Sequence, residues 1–248
     1  MHIGGKIMQH VFTLRKIILI FGFILVTFGC TANKDFDEDK EVFAVYSRYS
    51  VNGELLAKTE YEYDSNGNMT KINKYDANEE LSGYSEIEHN SKGYRTKASH
   101  YYANGDLSSI TEIEYDSEGN ETKTKFYNAN VELSGYIEHD YDSSGNVTKI
   151  SDYNANGELS GYAVSGYDSK GNETKAKFYN ASGELSFKVE YEYDSNGKMT
   201  KLSHYDANGE LLAKIECEYD SKGNITKESE YNAIGELDSY SVYLYKSI

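Results

Sequence analysis

The sequence predicts an all-β protein: a repeat array of antiparallel β-hairpins that forms a long twisted or coiled meander sheet. The first observation is a 26-residue repeat that runs without insertions or deletions from about Tyr49 to Tyr245. A fixed period of this length indicates one supersecondary unit stacked on itself. The second observation is a pair of turn signals in each unit, and the third is the alternation of hydrophobic and charged residues between them. These patterns predict one repeat domain over residues 42–248.

The first 29 residues differ from the rest and predict a signal peptide. Lys6, Arg15 and Lys16 precede an apolar run at residues 17–29, after which the composition becomes polar. Thirteen residues are too few for a helix that spans a bilayer, which needs about 20. A basic segment followed by a short apolar segment is typical of a secretory signal. Either Met1 or Met8 is compatible with this interpretation as the start.

Cys30 follows Gly29 directly and is a candidate lipidation site. This junction resembles the lipobox of bacterial lipoproteins, a resemblance that implies acylation of Cys30 and its use as the mature N-terminus. The alternative is an ordinary signal peptide with an incidental cysteine. Residues 30–41 are interpreted as the lipidated cysteine and an acidic tether. We expect anchoring in a bacterial cell envelope, at the outer membrane or cell surface rather than the inner membrane.

The charge and cysteine content restrict the partners. The formal net charge is −16, with 41 acidic and 25 basic residues, so nucleic acid and anionic membrane surfaces repel the chain. We therefore expect no nucleic-acid partner, and the expected membrane contact runs through the lipid on Cys30. The second cysteine is Cys217, so the sequence contains no disulfide framework.

The two turn signals predict the hairpin loops. The first is D-S-x-G-N, as at residues 64–68, and the second is D/N-A-N-G-E, as at residues 206–210. This order suits a type I turn followed by a glycine at positive φ, with Asp or Asn bonding to the backbone two residues on. Glu79 and Val131 replace the glycine in two copies. We expect those two turns to be looser or of another type, because a side chain is strained at positive φ.

Between the turns, apolar and charged residues alternate, as in Leu185–Tyr193. This period of two predicts strands with one buried face, about fifteen in all. Because the turn spacings are even, we expect odd-numbered residues to share one face throughout. That face would carry two tyrosine columns and a leucine column, and the even face would carry threonines and glutamates. The first tyrosine column consists of Tyr63, Tyr115, Tyr141, Tyr167, Tyr193, Tyr219 and Tyr245, and the second of Tyr49, Tyr75, Tyr101, Tyr127, Tyr153, Tyr179, Tyr205 and Tyr231. The sheet buries its better face by curling, folding over or dimerising, and the sequence leaves these alternatives open.

The strings YDxxGNxT and YxYD over residues 49–245 resemble the YD repeats of RHS-type proteins. The resemblance implies β-meanders that coil into a shell. The strings YYANGDL and YNANGEL also resemble MORN-variant repeats, the second family considered. Some proteins with MORN-variant repeats are antitoxin or immunity components.

The sequence presents no catalytic constellation, so we expect no enzyme, no cofactor and no metal site. His100 and His204 occupy a position that varies between repeats, which is interpreted as surface filling. His89 and His139 fall in strand columns, and Cys217 is expected to be a small buried residue. The D-S-N-G-N strings are interpreted as turns and not as calcium loops.

The candidate binding residues form one column of the even face: Tyr84, Tyr136, Tyr162 and Tyr240. Tyrosines spaced along a polar face stack on a glycan or grip a peptide, and the alternative is that they only pad this face. The favoured function is a lipid-anchored envelope or surface protein that acts as a non-enzymatic binding or spacer scaffold. The alternative is an immunity-type protein that neutralises a toxin.

Overall fold

A computed structural model describes residues 41–247. The predictions for the signal peptide, for Cys30 and for the tether up to Lys40 lie outside the described residues. In the part of the chain that the structure describes, no helix is long and apolar enough to cross a membrane.

The described chain consists of sixteen strands that follow one another with only short turns between them. Odd-numbered strands after β1 are the shorter ones, and even-numbered strands are the longer ones. The strands are β1 (Glu41–Ser50), β2 (Leu55–Tyr63), β3 (Met69–Tyr75), β4 (Leu81–His89), β5 (Arg95–Tyr102), β6 (Leu107–Tyr115), β7 (Glu121–Asn128), β8 (Leu133–Tyr141), β9 (Val147–Asn154), β10 (Leu159–Tyr167), β11 (Glu173–Asn180), β12 (Leu185–Tyr193), β13 (Met199–Asp206), β14 (Leu211–Tyr219), β15 (Ile225–Asn232) and β16 (Leu237–Ser247).

The antiparallel meander is confirmed, but the prediction of a twisted or coiled sheet is wrong because the sheet closes into a barrel. β1 pairs with β16 at nine register positions, from Glu41 opposite Ser247 to Ser50 opposite Ser239. The regular twist of sixteen similar strands brings the last strand back to the first. Closure gives every strand two neighbours and leaves no sheet edge unpaired.

The two kinds of turn lie at opposite ends of the barrel. Seven turns form one end, called the first rim, where Glu41 and Ser247 also lie; five read D-S-x-G-N, and the turns at residues 90–94 and 194–198 are variants of it. The eight other turns, which begin with the turn after β1, form the opposite end, called the second rim. All turns of one kind therefore surround the same opening.

The predicted turn geometry is confirmed. At the first D-S-x-G-N turn, the Gly67 amide donates to the Asp64 carbonyl over 3.0 Å, and Gly67 has φ of 81°. The Asp64 Oδ1 atom accepts hydrogen bonds from the amides of Asn66 and Asn68, each over 2.9 Å. The aspartate thus satisfies amides that the turn leaves without a backbone partner.

The prediction that Glu79 and Val131 make looser turns is wrong. Their φ angles are 60° and 62°, and they keep the hydrogen bonds of the glycine turns. The Val131 amide donates to the Asn128 carbonyl over 3.0 Å, for example. The pairing of the flanking strands fixes the turn, so these residues adopt the left-handed conformation despite its cost.

The prediction that odd-numbered residues share one face is also wrong. Each repeat contains two β-bulges that interrupt the pairing, one near each rim. Each bulge adds one residue, which exchanges the odd and even positions between neighbouring strands. Even-numbered Tyr84 therefore lies opposite odd-numbered Tyr101. The two tyrosine columns consequently lie on opposite faces of the sheet.

Alternation of burial identifies the inner face of the barrel. On β4, Gly83, Ser85 and Ile87 are buried, whereas Glu86 and Glu88 are exposed. Ile87 packs with Ile72 and Ala98 in an apolar cluster on the buried face, joined by Tyr61 and Met69. The inner face is thus partly apolar, and the outer face carries the charged side chains.

Candidate functional site

One column of the inner face changes its chemistry from repeat to repeat, while the tyrosine and leucine columns stay nearly constant. It occupies the same repeat position on each odd-numbered strand, close to the second rim. This set, called the variable inner column, consists of Arg48, Lys74, His100, Phe126, Asp152, Phe178, His204 and Glu230. The interpretation of His100 and His204 as surface filling is wrong, because His204 is only 6% exposed and both residues face inward.

Mostly small residues lie opposite the variable inner column on the even-numbered strands. A Cβ atom at Gly83 or at Gly135 would lie 2.6 Å from the carbonyl oxygen of Tyr101 or Tyr153, so only glycine fits there. Small side chains leave space between the members of the variable inner column. The facing residues are Ala57, Gly83, Ser109, Gly135, Gly161, Phe187, Ala213 and Ser239.

Aromatic side chains occupy one sector of the variable inner column and its facing residues. The Phe178 and Phe187 rings stack with centroids 4.2 Å apart, and the His204 ring meets Phe187 edge to face at 5.0 Å. Neither ring nitrogen of His204 has a hydrogen-bond partner among the described residues. Burial lowers the pKa of His204 to about 4, so the ring is neutral near pH 7 and offers one donor and one acceptor.

The sector formed by β3, β4 and β5 is basic, and it carries Lys74, His89, Arg95 and His100. The His100 ring bonds to the Ser85 hydroxyl over 2.8 Å and to the Thr111 hydroxyl over 3.3 Å. Burial, followed by the charges of Lys74 and Arg95, lowers the pKa of His100 to about 4. Lys74 remains accessible to solvent inside the barrel and has no ion-pair partner among residues 41–247, and partial desolvation by the surrounding barrel wall lowers its pKa.

Inward-facing carboxyl groups lie elsewhere around the barrel. Burial raises the pKa values of Asp152, Glu173 and Glu228. The Tyr243 hydroxyl donates a hydrogen bond to Glu228, which partly offsets the cost of that burial. The interior therefore separates a basic sector on β3–β5 from carboxylates on later strands.

The candidate binding tyrosines lie on the outer face, and each stacks on a ring of the second tyrosine column. The centroid distances are 4.8 Å for Tyr84 with Tyr101, 4.8 Å for Tyr136 with Tyr153, 4.9 Å for Tyr162 with Tyr179 and 5.3 Å for Tyr240 with Tyr49. A lysine ammonium also lies over each ring, between 4.4 and 5.7 Å from its centre. The four rings therefore already take part in a ladder of contacts on the barrel itself.

Barrel closure distributes these tyrosines around the circumference. They lie on β4, β8, β10 and β16, so only Tyr136 and Tyr162 occupy consecutive long strands. The structure brings these two together and separates Tyr84 and Tyr240 from them. The four do not form one patch, and their role in ligand binding stays a prediction.

Charged pairs cover the rest of the outer face. Lys123 lies 2.8 Å from Glu138, and Lys201 lies 2.8 Å from Glu192. Such exposed pairs contribute little to stability, in the range of about 0 to 1 kcal/mol each. They do give the outer surface a mixed charge over the middle of the strands.

The remaining predicted residues lie inside the barrel. Cys217 is a free, half-buried thiol, and burial raises its pKa to about 12, which keeps it protonated. His139 faces inward, and its Nδ1 atom has no partner among the described residues. Within residues 41–247 no group of three or more His, Cys, Asp and Glu side chains is arranged to hold a metal ion.

No protein-family model matches the sequence, and no curated protein matches it either. Solved structures with a similar fold include a porin-like protein from Bacteroides uniformis. It has 10% sequence identity and a TM-score of 0.55, over 82% of this chain and 98% of that one. This similarity concerns the fold alone.

Two further similarities are weaker. A porin-like protein from Bacteroides vulgatus has 12% identity and a TM-score of 0.42, over 83% of this chain and 99% of that one. The Tc holotoxin pore of Photorhabdus luminescens has 16% identity and a TM-score of 0.33 over 74% of this chain, which spans only 12% of the toxin chain.

Sequence reasoning missed the variable inner column as a candidate site. The available signal was the variability itself, at one position among nearly constant columns. Its location inside the barrel depends on the bulges, which the repeat spacing does not reveal. The structure therefore moves the candidate site from the outer tyrosines to the inner face near the second rim.

Proposed function

We propose that this chain is a lipid-anchored protein of the bacterial cell envelope whose closed barrel acts as a non-enzymatic binding scaffold. The observation that carries the proposal is the variable inner column. Repeats that keep their turns, tyrosines and leucines nearly constant change charge, size and aromatic character at this one inward position. Side chains that face the interior of a wide barrel are those that line a ligand cavity or channel.

The charged pairs of the outer face favour a location of the barrel in water, beside the membrane and not across it. Barrels that cross a membrane present an outward apolar band about 25 Å tall. Here the middle of the outer face carries ion pairs such as Lys123 with Glu138. The lipid expected on Cys30 would then supply the attachment, and one acyl chain alone gives only marginal binding, so a diacylated cysteine is the appropriate anchor.

The anchor is tested by expressing the full chain in a bacterium and determining the mass of its N-terminal peptide. The expected result is a peptide that starts at Cys30 and carries a diacylglyceryl group. Cys30→Ala is the matched control and should release the chain from the membrane fraction. An unmodified Cys30 in a chain that is absent from the membrane fraction would contradict the proposed lipid anchor.

The binding role is tested by releasing small molecules from the purified full chain and analysing them by mass spectrometry. Phe126→Ala changes the inner face, and Lys125→Ala changes the outer face at the neighbouring position. We expect a compound that co-purifies with the native chain and with Lys125→Ala but is depleted with Phe126→Ala. Equal recovery from all three proteins, or recovery from none, would contradict a binding role for the interior.

A further inference from the structure

An unpaired cation and one departure from the repeat lie on either side of Gly83 at the second rim. Lys74 is the only unpaired cation of the variable inner column within the described residues. The nearby Glu79, in the turn between β3 and β4, lies 3.6 Å from Lys58 on the outer face and takes no part in this row. Tyr102 replaces the aspartate or asparagine that begins the other second-rim turns after β3. Gly83 lies directly opposite both Lys74 and Tyr102.

The replacement at Tyr102 removes a stabilising interaction. In the preceding turn of this kind, Asp76 Oδ1 accepts hydrogen bonds from the amides of Asn78 and Glu80, over 2.8 and 3.0 Å. A tyrosine cannot make these bonds, and Asn104 only partly replaces them by accepting from the Asp106 amide over 3.0 Å. Local stability lost without a packing gain is typical of a functional position.

Tyr102 also gains no burial in return. It is 57% exposed, in contrast to the half-buried tyrosines of the two repeat columns. Its neighbour Tyr101 points outward and stacks on Tyr84, so Tyr102 points to the inner side at the barrel opening. The phenol ring and hydroxyl are therefore accessible from the interior.

Gly83 creates the space between the two side chains. A Cβ atom there would lie 2.6 Å from the Tyr101 carbonyl oxygen, so the strands approach too closely for any other residue. The row across β3, β4 and β5 thus reads ammonium, gap and phenol. We call this row, formed by Lys74, Gly83 and Tyr102, the Lys74 notch.

We infer that the Lys74 notch binds an organic carboxylate with a flat apolar body, an inference that rests on the proposed binding function. The Lys74 ammonium pairs with the carboxylate, and the flat body packs on the Tyr102 ring. The Lys74 ammonium is the positive charge of this row, since Arg95 lies at the other end of β5, near the first rim. The same positive charge would repel a cationic ligand.

The surroundings of the Lys74 ammonium support an anionic ligand. The barrel wall partly desolvates the ammonium and supplies no counter-ion, which lowers the pKa of Lys74. An anion bound beside the ammonium favours its charged form and therefore raises that pKa again. The notch is thus a position at which the free barrel lacks a counter-charge that the ligand supplies.

The test uses three probes of one shape on the purified full chain: benzoate, benzyl alcohol and benzylamine. Binding is followed by amide NMR shifts, with the expectation that benzoate alone shifts Gly83, Lys74 and Tyr102. Lys74→Met should weaken benzoate binding at least tenfold. The matched control is Lys71→Met, which changes an outward lysine of the same strand and should leave benzoate binding unchanged. Equal shifts with all three probes would overturn the inference.

Tyr102→Asn separates a binding role from a folding role. This variant restores the residue that the repeat places there, so the protein should become more resistant to urea while benzoate binding weakens. A variant that is more stable and binds benzoate as well as before would contradict the role of Tyr102. If benzoate does not bind while another compound still co-purifies with the chain, only the proposed ligand class is overturned, and not the binding scaffold.

Discussion

Arg48 donates a hydrogen bond from its Nη2 atom to Glu230 Oε2 over 2.7 Å, although 182 positions separate them in the sequence. The two residues lie on β1 and β15, on either side of β16. Ser239 of β16 joins them, accepting from Arg48 Nη2 over 2.9 Å and donating to Glu230 over 2.9 Å. This triad ties together, on the inner face, the three strands at which the barrel closes.

Removing one partner of the triad should destabilise the closed barrel. Arg48→Met leaves the Glu230 carboxylate half-buried without its counter-ion, and we expect a loss of about 1.5 to 3 kcal/mol in the free energy of unfolding. Urea unfolding of the full chain measures this loss. An opened seam would also expose two strand edges, so the variant should form dimers or larger assemblies in size-exclusion chromatography.

The control for this prediction is an ion pair on the outer face. Lys227 and Glu218 lie 3.2 Å apart with side chains 40% and 62% exposed, against 21% and 34% for Arg48 and Glu230. Glu218→Gln should change the free energy of unfolding by less than about 1 kcal/mol and leave the elution volume of the native chain unchanged. Equal effects of the inner and outer changes would show that the triad has no special part in closure.

Val131→Gly should stabilise the protein. Val131 has φ of 62° in a turn that otherwise matches the glycine turns, and it is 58% exposed, so its side chain gains little from packing. Relief of the left-handed strain should raise the free energy of unfolding by about 1 to 2 kcal/mol, reduced by the greater entropy of glycine in the unfolded chain. The reverse change at Gly157, Gly157→Val, should lower it by a similar amount in the same urea experiment. A destabilised Val131→Gly protein would contradict the assignment of strain.

The local features of the fold were predictable from the sequence because they depend on a few neighbouring residues. The Asp64 to Gly67 segment encodes its turn through a carboxylate that accepts amide hydrogen bonds and a glycine at positive φ. The alternation in Leu185–Tyr193 likewise encodes a strand with one buried face. Such patterns act within one hairpin and repeat without change.

Closure and the assignment of faces were not predictable in the same way. The contact between Arg48 and Glu230 joins opposite ends of the repeat array, and no local pattern contains it. The bulges exchange the faces of neighbouring strands, so His204 lies inside the barrel although its position suggested a surface residue. The candidate site depends on both of these non-local features.

Asp142 should make the stability depend on pH in the acid range. Hydrogen bonds from the Asn146 side chain and amide, and from the Ser144 amide, lower the pKa of its carboxyl group. A carboxyl pKa that is lower in the folded state contributes stability above the unfolded value, and this is lost as the pH falls through the folded value. Asp142→Asn should therefore show a smaller fall in unfolding free energy between about pH 4 and pH 2 than the native chain.

The turn at residues 90–94 indicates that Asp142→Asn will fold. There, Asn90 Oδ1 accepts hydrogen bonds from the amides of Lys92 and Tyr94, each over 3.0 Å, without a charge. The measurement is urea unfolding at a series of pH values. An unchanged dependence on pH in the variant would contradict the contribution of the Asp142 charge.

Glu173 should act in the opposite direction. Burial raises the pKa of its carboxyl group, with a smaller opposing effect of the hydrogen bond to Ser165. A carboxyl pKa that is higher in the folded state stabilises the fold at low pH, and this contribution is lost as the pH rises through the folded value. Glu173→Gln should therefore gain stability relative to the native chain as the pH rises from about 4 to 8, in the same type of urea series. A difference that stays constant over this range would contradict a buried charge at Glu173.

The first tyrosine column should stabilise the first rim through its hydroxyl groups. Tyr167 donates a hydrogen bond to the Val147 carbonyl oxygen over 2.7 Å, and the equivalent bond recurs in other repeats, as from Tyr141 to Glu121 over 2.7 Å. Burial raises the pKa of Tyr167 to about 12, so the hydroxyl remains a donor at neutral pH. Tyr167→Phe removes the donor and leaves a buried carbonyl oxygen with one partner fewer, which should cost about 1 kcal/mol in urea unfolding.

Tyr153→Phe is the matched control on the outer face, since the Tyr153 hydroxyl makes no hydrogen bond within residues 41–247, and it should change the free energy by less than about 0.5 kcal/mol. Equal losses for the two variants would mean that the hydroxyl hydrogen bonds of the first tyrosine column add nothing to the stability of the barrel.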